Sequence, residues 1–488
     1  MLLDLEKMKK VHLIGVGGIM MSALAKYFLS LGKEVSGSDR DRSEITEKLE
    51  KLGAVVYKGH ATGNLGNNID LVVYTEAISN DNLELIRARD LQLPTYSVYQ
   101  VLGDLSQGKY AVAVAGMHGK STTTSMIGLI LEAAGLDPTV FVGTQLKEFD
   151  GNLRLGHASS SAARRAGPPA SAMLKALRAG KPDYFVLEAC EYRDNFLNYQ
   201  PDIGVVTNIE AEHLDYFKNI AGVKKSFKKF ISQIKDDGWL VFNGDDKNAL
   251  QLAKAARGSK VSFGVDNQQL DFRAESIEIG DNGDTNFTLI CKKLKEYDGI
   301  RFSLKVPGNF NVYNALAAIS VATILEVKVQ VVQDALAKFS GVWRRFEFKG
   351  EYEGIQYFDD YAHHPTEIRA TLKAAKQKFG NRIFWLVYQP HLYSRTNDFL
   401  NEFAASLNLA PDLILAPIYA AREENKWGIT SKDLADLMNK RFKRPRPVIY
   451  LPSLLKIKNY LKKNVQLGEV VMTMGAGDVY KIGENLLK

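Results

Sequence analysis

Short apolar runs recur along the chain, and the segments between them carry apolar residues at helical spacing. Over the first hundred residues the runs are VHLIGVG, EVSGSD, AVVYKGH and LVVYTEA, and amphipathic segments extend through Lys33, over TEKLEKLG and over Leu83 to Arg89. β-Branched runs alternating with amphipathic segments predict a parallel sheet whose strands are joined by helical crossovers. A second α/β unit opens at Tyr110, where the buried-strand pattern AVAVAG runs directly into HGKSTTTSMIGLILEAAG. A third begins near Gly341, with IQYFDDY, RIFWLVY, LILAPIY, PVIYL and VVMTMGAG as its strands. The pattern predicts an α/β protein of three domains, 1–107, 108–340 and 341–488. At about 150 residues per domain, the chain length agrees. HASSSAARRAGPPA, between Gly156 and Ala170, follows neither period and is expected to form a mobile surface loop.

Composition narrows the class. Hydrophobic residues make up 45% and charged residues 24%, as in soluble globular enzymes. No window approaches the roughly 18 unbroken apolar residues of a membrane span. Lys7, Lys9 and Lys10 before VHLIGVGGIMMSALA imitate a secretory signal, but Gly15, Gly17 and Gly18 interrupt the apolar run and suit a nucleotide fold better. Cys190 and Cys291 are the only cysteines, which argues against a disulfide framework or a cysteine metal site and fits a reducing cytosol. The net charge is +7, but the basic stretches KKSFKKF, KRFKRPRP and LKIKNYLKK are scattered. They are expected to be solvated surface and not a nucleic-acid site, while anionic small substrates suit part of the positive field.

Candidate chemistry gathers where strands end. Gly116, His118, Gly119, Lys120, Ser121 and Thr122 follow a strand and open a helix. Backbone N–H groups at a helix N-terminus favour phosphate, a lysine reaches terminal phosphate oxygens, and a serine hydroxyl can bind Mg2+. This is a shortened phosphate loop, with Val114 where the generic pattern has glycine. Downstream, two apolar strands end in Glu188 and in Asn208, Glu210, Glu212, His213 and Asp215. Ligands of open parallel sheets lie beyond the strands' carboxyl ends, so these groups are expected near the loop, where they can hold Mg2+.

The first glycine cluster, Gly15, Gly17 and Gly18 with Ser38 and Asp39, looks like a dinucleotide fingerprint whose last glycine is replaced by Met20. Nothing downstream resembles a nicotinamide site, so it reads as a diphosphate cradle of another kind. In the third unit, Asp359, Asp360, His363, His364 and Glu367 sit at one strand end and His391 and Arg395 at the next. Several titratable groups at neighbouring strand ends suggest a substrate site.

Taken in order, HLIGVGGIMMSALA, VSGSD, GMHGKSTTT, VVTNIEAEHLDYF, GVWRRF, DDYAHHPTEI, QPHLYSRT, IYAAREE and MGAGDVYKIG resemble the motifs of the Mur ligase family over nearly the whole chain. The resemblance implies a Rossmann-like N-terminal domain for a UDP-sugar, a central ATPase domain and a Rossmann-like C-terminal domain for an amino acid. Within the family, the branch that joins L-alanine to UDP-N-acetylmuramate fits best. That implies a cytoplasmic, ATP- and Mg2+-dependent ligase of peptidoglycan biosynthesis working through an acyl phosphate. Lys120 would grip ATP, Ser121, Glu188 and His213 would support Mg2+, and Asn311 and Asn314 would contact nucleotide, together with Arg345 and Asp360. Gly15, Gly17, Gly18, Ser38 and Asp39 would take the sugar nucleotide. Arg344, Arg345, Tyr361, His363, His364, His391 and Arg395 would line the path of the reacting carboxylate and amino acid. His391 or one of the HHP histidines would accept a proton, and Arg395 would anchor a carboxylate. Met20, Met117, Ser121 and Phe310 depart from the family pattern. A tripeptide-recycling ligase of the same family and a catalytically silent sugar-nucleotide sensor remain alternatives.

Overall fold

Five short runs in the first hundred residues pair into one sheet, and the order of pairing decides where a ligand can sit. The strands are β1 (Lys10–Ile14), β2 (Glu34–Asp39), β3 (Val55–Lys58), β4 (Leu71–Tyr74) and β5 (Thr95–Ser97). Their order is β3-β2-β1-β4-β5, with every pairing parallel. Strand order reverses between β1 and β4, which opens a crevice beyond their carboxyl ends, where Gly15 follows β1. Val11, Leu13 and Ile14 are fully buried, as expected where helices cover both faces of a parallel sheet. The computed structural model describes residues 4–487 except 6, 67, 157–181, 281–283, 292–293 and 422. The expected mobile loop at 157–170 lies outside the described residues.

The second sheet holds β6 (Tyr110–Ala115), β7 (Thr139–Leu146), β8 (Gly151–Arg154), β9 (Tyr184–Glu188), β10 (Ile203–Val206), β11 (Trp239–Asn243), β12 (Ser259–Gly264), β13 (Phe272–Ile279), β14 (Thr285–Ile290) and β15 (Arg301–Leu304). Its order is β15-β14-β13-β12-β11-β10-β6-β9-β7-β8, and β6 is parallel to both β10 and β9. The loop after β6 therefore has the ends of β9 and β10 on either side.

The third sheet comprises β16 (Glu347–Tyr352), β17 (Ile355–Asp360), β18 (Phe384–Tyr388), β19 (Asp412–Leu415), β20 (Ile449–Tyr450) and β21 (Val470–Met474), in the order β16-β17-β21-β18-β19-β20. Only the β16–β17 pairing is antiparallel. Phe346, Phe358, Phe379 and Phe384 pack in its core, with successive ring centroids 5.0 to 5.7 Å apart.

Two compact units result. One spans Met1–Glu275, Thr288–Phe302 and Tyr313–Lys338, and the other Ser276–Phe287, Ser303–Val312 and Phe339–Lys488. The first unit unites the first sheet with most of the second, because the helix Ile19–Ser30 packs on β7 and β8. Asn152 on β8 is buried there, donates to Ile19 O and Ser22 Oγ, and accepts from Lys26 Nζ at 3.0 Å. Among the described residues, no helix is long and apolar enough to cross a membrane.

Candidate active site

The loop after β6 turns in a way only glycine allows. Gly116 has φ +139°, and a Cβ there would meet Thr207 Oγ1 at 2.0 Å. Gly119 has φ +82° and caps the helix Lys120–Ala133. Residues after β10 strap the loop down: Thr207 Oγ1 donates to His118 O at 2.6 Å, and the Asn208 amide both accepts from His118 N at 2.9 Å and donates to His118 O at 3.0 Å. Asn314 braces the loop and accepts from Thr123 Oγ1 at 3.2 Å. Ser121 is half-buried and Thr122 buried at the start of the helix. A fixed glycine turn feeding a helix N-terminus aims backbone N–H groups at an anion. Asn311, in the other unit, donates its amide to Pro307 O at 2.8 Å.

Lys120 Nζ donates to Gly116 O and Met117 O and lies 3.0 and 3.2 Å from the two carboxylate oxygens of Glu191. Burial pulls the lysine's pKa down, but the neighbouring Glu191 carboxylate more than offsets this and holds it above the ordinary value. Burial likewise pushes Glu191 up, and Lys120 with His213 brings it below the usual carboxylate range. Single ligand atoms of Glu191, Glu212 and His213 lie within 4.8 Å of one another. Two carboxylates and an imidazole suit a divalent cation, so this donor set fits Mg2+. Glu188 falls outside that group, and its Oε1 accepts from Gly143 N at 2.7 Å. Glu191 was missed in the sequence, although EACEY carries both carboxylates three positions apart.

In the first sheet, Gly15 and Val16 donate to Ser38 O at 2.8 and 2.9 Å, and Gly17 N donates to Asp39 Oδ2 at 2.9 Å. Asp39 thus shapes the turn. The Ser38 hydroxyl is buried, donates to Glu84 and lies 2.8 Å from His60 Nδ1. Glu84 also accepts from Asn64 Nδ2 at 2.6 Å and meets His12 Nε2 at 3.4 Å. Burial raises its pKa, but bonds from His12, Ser38 and Asn64 hold it below the ordinary range. Gly18 caps the next helix without a side-chain bond, and a helix N-terminus of this kind favours an anion.

The third sheet supplies a separate cluster. Arg344 is buried, donating to Asp359 at 2.8 Å, to Gly477 O at 2.9 Å and to Gly475 O. Asp360 accepts from Phe346 N at 2.7 Å and Ala362 N at 2.8 Å, so it braces the chain from inside. Glu367 accepts from His363 N at 3.1 Å, His364 N at 3.4 Å and Arg345 Nη1 at 3.2 Å. His364 caps the helix Pro365–Phe379. His363 Nδ1 lies 3.0 Å from Tyr361 O, and its ring is 5.8 Å from that of His391, which stacks on Tyr419 at 5.7 Å. His391 Nδ1, Arg395 Nη1 and the Tyr388 hydroxyl are buried without a hydrogen-bond partner. A buried polar atom of this kind calls for a partner, which a water, an ion or a polar ligand can supply. Burial, aided by Arg395 and opposed by the Glu367 carboxylate at His363 and by Glu423 at His391, pushes each down to about 4, so both imidazoles are neutral at pH 7.

With this geometry in view, the chain matches three family models: the Mur ligase family catalytic domain over residues 10–110, the Mur ligase middle domain over 114–322 and the Mur ligase glutamate ligase domain over 344–477. It is 42% identical to the UDP-N-acetylmuramate–L-alanine ligase of Caldanaerobacter subterraneus over 487 residues, covering 100% of this chain and 99% of that one. The ligase of the same name from Acetivibrio thermocellus is also 42% identical, covering 100% and 97%. Among solved structures, the UDP-N-acetylmuramate–alanine ligase of Thermotoga maritima superposes with a TM-score of 0.80 at 27% identity, covering 98% of each chain. A murein peptide ligase from Psychrobacter arcticus gives 0.68 at 26% identity, also covering 98% of each.

Proposed function

The chain belongs to the Mur ligase family, and from that premise we propose that it joins L-alanine to UDP-N-acetylmuramate at the expense of ATP, in the cytoplasm, during peptidoglycan biosynthesis. The observation that carries this reading is full-length similarity to ligases of that name, extending through the residues that line the third-sheet cluster. In this reading, residues 1–107 hold the UDP-sugar, 108–340 hold ATP and 341–488 hold the amino acid.

Amide formation from a carboxylate needs an activated carbonyl. ATP supplies a phosphoryl group that turns the substrate carboxylate into an acyl phosphate with loss of ADP, and Mg2+ supplies positive charge at the phosphates. Lys120 and the loop N–H groups stabilise charge building on the transferred phosphoryl oxygens. His213 with Glu191 and Glu212 forms the donor set for Mg2+, with Ser121 and Glu188 as further candidates. Gly15, Gly17 and Gly18, held by Ser38 and Asp39, cradle the sugar nucleotide's diphosphate. Arg395 offers its unpartnered Nη1 to the alanine carboxylate, and Tyr361 and His363 flank the amino acid. As the amine attacks the acyl carbonyl, a C–N bond forms, the C–O bond to phosphate breaks, and neutral His391 accepts the released proton at Nδ1.

The test is phosphate release with Mg·ATP and UDP-N-acetylmuramate in the presence of L-alanine, glycine, L-serine or the wall tripeptide. Turnover with L-alanine is expected, and turnover with tripeptide alone would sink the reading in favour of a recycling ligase. Lys120→Ala is expected to abolish release.

A further inference from the structure

In the nucleotide loop, the Lys120 ammonium is fully occupied. Its Nζ lies 3.0 and 3.2 Å from the carboxylate oxygens of Glu191, and it also donates to the carbonyls of Gly116 and Met117. An ammonium has three donors, so none remains for a phosphate oxygen. Glu191 has competing attractions of its own. Its side chain is only 2% exposed, Oε1 lies 3.5 Å from His213 Nε2, and Glu212 completes the three-donor set.

We propose that Glu191 is an exchange carboxylate: it neutralises Lys120 while the loop is without nucleotide, and turns to a divalent cation held with Glu212 and His213 when nucleotide binds, releasing Lys120 to the phosphates. This rests on the reading of the loop as a nucleotide site. The physical reason is that a buried carboxylate stripped of its cation is strongly disfavoured, so Lys120 cannot leave until a replacement charge arrives. Cation and nucleotide must then strengthen each other's binding, and linkage makes that coupling reciprocal. Were Glu191 a fixed counter-ion, its removal would only weaken the loop.

Equilibrium titration of the full chain with ADP, in chelator and in Mg2+, separates the two cases. Wild-type protein should gain at least about tenfold in affinity from Mg2+, within the usual range of coupling. Glu191→Gln should bind metal-free ADP about tenfold more tightly than wild type, a change of about one decade in Kd, and gain little from Mg2+. Glu212→Gln, which retains the Lys120–Glu191 pair, should lose the Mg2+ gain without acquiring metal-free affinity. Thermal melts establish that each variant is folded, and Glu191→Ala, with the same expected gain in metal-free affinity, takes the place of Glu191→Gln if that variant is not. Unchanged or weaker metal-free binding by Glu191→Gln overturns the exchange, as does an undiminished Mg2+ gain in Glu212→Gln. Tight metal-independent binding by wild type overturns the exchange alone. Absence of ADP binding under both conditions overturns the nucleotide reading and the exchange with it.

Discussion

The side-chain oxygen of Asn314 occupies the space that a Cβ at Gly119 would need, with 2.3 Å between the two positions. The same oxygen accepts from Thr123 Oγ1, so it ties the turn to the first turn of the helix behind it. Gly119→Ala adds left-handed strain and pushes Asn314 aside, and should cost about 1–3 kcal/mol of unfolding free energy. Nucleotide affinity should fall more than tenfold. Denaturant titration and ADP titration measure the two effects, and an unchanged affinity would count against the loop geometry.

His363 and His391 predict an acid limit. Both have folded pKa values of about 4, below the ordinary 6.5. Between those values the unfolded chain binds protons that the folded chain does not. Stability is therefore fully present above pH 6.5 and falls as pH drops toward 4, by about 1–3 kcal/mol for each histidine. Unfolding curves at pH 7 and pH 5 check this. His391→Gln should flatten the dependence, and a variant as acid-sensitive as wild type would contradict it.

Arg344 is the buried tie of the third sheet. Arg344→Met leaves the Asp359 carboxylate uncompensated and two glycine carbonyls without their donor, and should destabilise the protein by about 3–5 kcal/mol. Adding Asp359→Asn should recover part of that loss. A double variant no more stable than the single one would show that the ion pair is not the cause.

Glu367 serves structure and site together, since one carboxylate receives His363 N, His364 N and Arg345. Glu367→Ala should cost about 1–2 kcal/mol as a lost helix cap. By loosening His363 it should raise the KM for L-alanine by more than the loosening of Arg345 raises that for ATP. Steady-state kinetics in each substrate test this, and equal shifts in both KM values would argue for general damage.

Much of the architecture was legible in the chain. The strands expected at VHLIGVG, EVSGSD, AVAVAG, IQYFDDY and VVMTMGAG form, because buried parallel strands are nearly continuous apolar runs. PVIYL contributes only Ile449–Tyr450, an edge strand with one neighbour. The short β5 and the extension through β13, β14 and β15 are not among the strands expected from the chain, although TNFTLI in β14 alternates as a half-buried strand does.

The sequence by itself determined the phosphate loop, the glycine turn after β1 and the clustering of titratable groups at strand ends. These rest on turn chemistry and periodicity, which act over a few residues. Which groups meet was decided by the tertiary structure. Lys120 makes its close ion pair with Glu191, which lies beyond the end of β9, whereas Glu188 still belongs to the strand and accepts from Gly143 N. Ser38 is buried and bonded to Glu84, 46 positions away. Such pairings depend on strand order and on the direction in which the chain leaves each strand, and both are set by long-range packing.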